Sequence, residues 1–204
     1  MEVIQNNNTA SQGENLSVWG YFVRCITKKY SDFSGRARRK EWWSLALFEL
    51  LIVSLLSIPV VRTFGKDFAA DPEIAQYMAQ NPGDMEYVYS LLGSNVFFWV
   101  LVIVGILLLV PTLAVGCRRF HDVGISTGVF WVVGGLTVLS SLVGVLQVIA
   151  PSVIPQALSG IVSFLSMLAT LAMLVIAFIP GKIGPNAYGP DPKPAPTYEG
   201  YGQS

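Results

Sequence analysis

Three short stretches of this chain concentrate side chains able to do chemistry. The first is Arg36-Ala37-Arg38-Arg39-Lys40-Glu41-Trp42-Trp43, four cations and a carboxylate ahead of a tryptophan pair. A guanidinium is a planar fork that suits phosphate bidentately. The same cations also hold a helix end at a membrane surface, with the tryptophans at headgroup depth. The second stretch is Cys117-Arg118-Arg119-Phe120-His121-Asp122-Val123-Gly124. On a helix, Cys117 and His121 share a face, which is how a thiol nucleophile meets a base. The alternative is a cationic helix end stopped by Gly124, with His121 bonded to backbone or to Asp122. His and Asp adjacent in sequence do not make a triad, and no serine nucleophile elbow occurs. The third stretch, residues 180–192, alternates Gly and Pro with Lys182, Asn186, Tyr188 and Asp191. It must be a series of turns, and its Gly-Lys pair lacks the spacing and the Ser/Thr of a phosphate loop. It is either a flexible tail or a folded segment docked on the rest. One isolated carboxylate, Glu49, stands inside an apolar run. An intramembrane carboxylate is a functional candidate by default, unless a Ser, Thr or cation on a neighbouring helix satisfies it.

The elements that position these residues follow from composition. Hydrophobic residues make up 52% of the 204 and charged residues 13%, about half the charged fraction of a soluble domain. A soluble enzyme and a disordered chain are both excluded on that ground. Two cysteines and one histidine exclude a disulfide scaffold and a Cys/His zinc cluster. Four apolar runs, 42–61, 96–115, 128–150 and 160–179, each approach the roughly 20 residues that cross the hydrocarbon core. In lipid the backbone must satisfy itself, so these runs are helices, and a barrel is excluded because period-two alternation is absent.

The expected fold is therefore an all-α integral membrane protein with four transmembrane helices. Residues 1–16 are expected to be disordered, 17–193 to form a single membrane domain, and 194–204 to be a flexible tail. Between Val18 and Tyr30, the residues Trp19, Phe22, Val23, Ile26 and Tyr30 share one helical face opposite Arg24 and Lys28, predicting an N-terminal interfacial amphipathic helix. Eleven of the thirteen Lys and Arg residues precede the first run, follow the second or follow the fourth. The positive-inside rule accordingly places both termini in the cytoplasm, and both cysteines fall on that reducing side, where no disulfide is expected. In the external loop 62–95, Asp71-Pro72-Glu73 predicts a helix start, Asn81-Pro82-Gly83 its end, and Asp84 a second cap. The five carboxylates there (Asp67, Asp71, Glu73, Asp84, Glu86) read as a solvated face rather than a metal site.

The segments Phe33–Trp43, Pro111–Gly124 and Gly184–Pro190 together resemble the bacterial inner-membrane family called domain of unknown function 805. The resemblance implies a small multi-pass inner-membrane protein without an established activity. The family often has an amide where Glu49 stands and a basic residue where Ile125 stands, and its tryptophan close after Gly128 is here Val129-Phe130-Trp131.

Topology adds a geometric expectation. All three motifs fall on the cytoplasmic side, so Arg36, Arg39, Arg118, Arg119, His121, Asp122, Asn186 and Tyr188 are expected to form one composite face. His121 or Asp122 should touch segment 34–41 or 182–191, and at least one of Arg118 and Arg119 should point into the bundle, offset by Asp122, Glu41 or Asp191. The expected function is non-enzymatic: a basic cytoplasmic face that binds anionic lipid headgroups or another membrane protein. The alternative is a small transporter or channel component using Glu49. No cofactor, metal or nucleic-acid partner is expected.

Overall fold

The computed structural model describes residues 15–193, so all but Asn15 and Leu16 of the segment 1–16 expected to be disordered, and the expected flexible tail 194–204, lie outside the described residues. Those described fold into seven helices: α1 (Val18–Ile26), α2 (Arg39–Ala70), α3 (Pro72–Gln80), α4 (Met85–Ser94), α5 (Val96–Val123), α6 (Thr127–Ile149) and α7 (Gln156–Phe178). Of these, α2, α5, α6 and α7 are long and apolar enough to cross a membrane. The 28 residues of α5 extend about 42 Å at 1.5 Å per residue.

The four long helices alternate in direction. Packing is closest between α2 and α5 and between α6 and α7, with α5 joining the two pairs and α4 leaning on α6. Their outward faces carry bare apolar side chains such as Leu55, Ile106, Val132 and Val175, while the largest fully buried side chains are Arg118 and Arg119. This inversion is what lipid selects, because apolar faces gain nothing there by turning inward and polar contacts hold the helices together. Gln147 donates to Ser159 at 2.8 Å across the α6–α7 pair. Thr112 of α5 meets Glu49 of α2 at 3.0 Å, so the intramembrane carboxylate has the hydroxyl partner that a packed polar residue requires.

Two elements differ from the sequence expectation. The helix carrying the first apolar run does not stop near Val61: α2 runs on to Ala70 and takes Arg62 and Lys66 with it. The N-terminal helix ends at Ile26 rather than Tyr30, and its buried side is Tyr21, Phe22 and Cys25. It packs on α2 and α5, leaving Trp19 outward with 58% exposure. Tyr30, freed from that helix, donates its hydroxyl to the Leu107 carbonyl at 2.7 Å. Pro111 sits inside α5 and has no N–H to offer the carbonyl four residues back, so Tyr30 fills the gap that Pro111 leaves. On the opposite side of the bundle Asp71 caps α3 and Asp84 caps α4, as their spacing predicts.

Candidate functional site

The last turn of α5 is where the three motifs meet, and unsatisfied backbone explains why. The final carbonyls of a helix have no partner within it. Gly124 ends α5 in the left-handed conformation, φ 84°, and returns its N–H to His121. Other segments fill the remaining positions. The Lys182 N–H donates to the Asp122 carbonyl at 2.9 Å, and one turn earlier the Ala37 N–H adds a bond to the Arg118 carbonyl at 3.0 Å. The Asn186 side-chain amide donates to the His121 carbonyl at 2.9 Å. The turn-rich segment comes this close only because residue 181 is glycine; any Cβ there would collide with the Asp122 carboxylate.

Side chains then lock the junction. Asp122 accepts from Arg36 Nε at 3.0 Å, with Arg36 Nη2 in ion-pair contact at 2.9 Å, and its second oxygen accepts from Arg119 Nη1. Arg36 also donates to the carbonyls of Gly184 and Lys182. Arg119 reaches across to α7, donating to the carbonyls of Ile176 at 3.3 Å and of Ile179, where a cation also offsets the negative end of that helix. Arg118 pairs with Glu41, and the Cys25 thiol lies 3.8 Å from the same carboxylate oxygen. Three guanidiniums and two carboxylates are thus at least 95% buried. Removing such charges from water costs several kcal/mol each unless charge pairing and further hydrogen bonds compensate, and here backbone carbonyls supply much of that compensation. Among the described residues, Arg118 Nη2 is a buried side-chain nitrogen with no partner.

His121 is held on every side. Its Nδ1 lies 3.0 Å from the Gly35 carbonyl, which can only accept, so that nitrogen carries the hydrogen. Nε2 is hydrogen-bonded to the Thr127 hydroxyl at 2.7 Å. Cys117 Sγ is a further 3.6 Å contact of Nε2, and the thiol is fully buried. Tyr188 stacks on the imidazole, ring centroids 4.0 Å apart and nearly parallel, and Asn186 orders that turn by accepting from the Tyr188 N–H at 2.9 Å.

The composite face therefore holds Arg36, Arg118, Arg119, His121, Asp122, Asn186 and Tyr188 together. Arg39 is the exception: it is exposed at the first residue of α2 and reaches the Phe178 carbonyl at 3.5 Å. It lines instead a small cavity of about 130 Å³ with Arg38, Lys40 and Lys193, against the buried Arg119–Asp122 pair. Sequence reasoning grouped Arg39 with the motif arginines and missed Lys193; the proximity of Lys193 depends on the tail folding back.

Titration reflects the same packing. Burial, reinforced by the Glu41 charge, pushes the Cys25 thiol up from 9.0 to about 12. Burial together with the positive charge of Arg118 lowers Lys29. At Asp191 burial acts upward, but N–H donors from Lys193 and Gly184 and the charge of Arg36 outweigh it and hold the carboxyl below its usual range.

A bundle of four membrane-crossing helices, closed at one end by buried arginine–carboxylate pairs and a docked turn segment, defines a multi-pass membrane protein. The chain belongs to the family described as protein of unknown function DUF805, whose family model matches residues 30–190. That match takes in all three motifs. No curated protein and no solved structure matches the chain.

Proposed function

We propose that this is a non-enzymatic protein of the bacterial inner membrane whose cytoplasmic end binds the phosphate of an anionic lipid headgroup. The observation that carries the reading is the cavity beside the clasp, where Arg38, Arg39, Lys40, Lys193 and Arg119 face a single carboxylate, Asp122, that Arg36 and Arg119 already neutralise. Arg36, Arg118 and Arg119 are buried and paired with Asp122 and Glu41, so headgroup recognition falls to Arg38, Arg39, Lys40 and Lys193. The distribution of basic residues supports a cytoplasmic position for this end. A non-enzymatic role is supported by the surroundings of Cys117, a buried thiol beside an imidazole whose two nitrogens are engaged by Gly35 and Thr127. The transporter alternative loses support because Glu49 is matched to Thr112.

The test is native mass spectrometry of the detergent-solubilised protein with dioleoyl phosphatidylglycerol and dioleoyl phosphatidylcholine. Juxtamembrane cations contribute about 1 kcal/mol each toward anionic lipid. The combined Arg39→Gln, Lys40→Gln, Lys193→Gln variant should therefore lose at least about tenfold of the preference for the anionic lipid. An unchanged preference in that variant sinks the reading.

A further inference from the structure

Beside the basic cavity runs a second, larger one of about 610 Å³, between α1, the start of α2 and the end of α7. Val18, Trp43, Leu47 and Phe178 line it, and Trp43 and Phe178 pack ring against ring at 4.9 Å. Arg39 and Lys40 line both cavities, so a polar compartment with excess positive charge adjoins an apolar one across two shared side chains. We infer that the two cavities form one site for an anionic glycerophospholipid, its phosphate among Arg38, Arg39, Lys40 and Lys193 and one acyl chain along the groove of Val18, Trp43, Leu47 and Phe178.

The inference rests on the headgroup reading above and adds the chain. A free phosphate or a soluble phosphate ester would leave the groove unfilled, and a neutral lipid would leave the cations unmatched. Size is consistent: ligand sites of roughly 300–1,000 Å³ are mainly apolar, with a few placed polar groups. The groove wall is firm, because Tyr21 and Ser44, which also line it, are almost fully buried.

The experiment compares the intact chain with Leu47→Trp, a substitution at a half-exposed groove residue that fills the cavity and leaves every cation in place. Native mass spectrometry in detergent measures dioleoyl phosphatidylglycerol against its dihexanoyl analogue, and each against phosphatidylcholine of the same chain length. The chain leaves one apolar environment for another, so its advantage comes from packing, and Leu47→Trp should reduce the long-to-short affinity ratio by about fivefold. The preference of dihexanoyl phosphatidylglycerol over dihexanoyl phosphatidylcholine should stay as it is in the unaltered chain. An unchanged long-to-short ratio overturns the chain site while the headgroup reading stands. Loss of the short-chain headgroup preference in the unaltered protein overturns that reading, and the composite site with it. A second measurement needs no filled groove. At low mole fraction, phosphatidylglycerol with dibrominated chains should quench the fluorescence component that Trp43→Phe removes, and do so more strongly than dibrominated phosphatidylcholine. Equal quenching by the two, or none, overturns the proposal.

Discussion

Replacing Asp122 with asparagine tests the clasp at its centre. The carboxylate is 4% exposed, and it accepts from Arg36 Nε and from Arg119 Nη1. In Asp122→Asn one acceptor oxygen survives, but the amide presents N–H donors to a guanidinium, and of the two buried carboxylates that offset the three buried cations only Glu41 remains. Breaking a buried pair by removing one partner costs roughly 3–5 kcal/mol, and Asp122 serves two arginines, so the upper half of that range is expected. Reversible unfolding in mixed micelles titrated with dodecyl sulfate reads the free energy, and hydrogen exchange at the Lys182 amide reads release of the tail. Arg36→Met should cost less, since Asp122 keeps Arg119. The double variant should be less destabilised than the sum of the two by about 1 kcal/mol or more, within the coupling range for residues in one network. A cost below about 1 kcal/mol for Asp122→Asn, the scale of an exposed pair, or strict additivity of the two changes, refutes the claim that these charges act as a buried unit.

Three further outcomes follow from single contacts. Tyr30→Phe orphans the Leu107 carbonyl beside Pro111 and should cost about 1 kcal/mol in the same unfolding assay; no measurable loss would mean that the carbonyl finds another donor. Cys25 ionises near 9.0 when exposed and near 12 in the fold, so the folded chain keeps its proton longer. The stability this contributes is present below pH 9 and is lost as pH rises toward 12, by up to about 1.4 kcal/mol per pH unit, and Cys25→Ala should flatten that component of the pH profile. A cysteine placed at Ala79, which is exposed in α3, should react with an impermeant maleimide added outside the cell while one at Ser11 does not, and the reverse pattern would invert the orientation.

What the sequence made legible was carried by side-chain type. Arginines before Trp42 and after Gly116, the Asp122 and Glu41 carboxylates, and the Asn186–Tyr188 turn all announce polarity at one end of apolar runs, and topology alone brings them together. The end of α2 was misplaced because Arg62 interrupts hydropathy without interrupting the helix. Backbone acceptors carry no such signature: that Arg36 would reach the carbonyls of Lys182 and Gly184, and Arg119 those of Ile176 and Ile179, follows from helix ends meeting in space. The role of Tyr30 had a trace in the sequence, since a proline inside an apolar run leaves a carbonyl open four residues earlier, yet nothing local says which donor fills it. Arg39 differs from Arg36 in environment, because one opens a helix at the surface and the other lies in the loop pressed against α5.

The division of labour among the arginines is the centre of the account, and an experimental structure of the protein in phosphatidylglycerol-containing nanodiscs tests it most directly. The prediction is phosphate density in the cavity bounded by Arg38, Arg39, Lys40 and Lys193, with Arg36 and Arg119 still on Asp122 and Arg118 still on Glu41. Phosphate density bound to Arg36, Arg118 or Arg119 with those pairs broken, and the outer cavity empty, would contradict it.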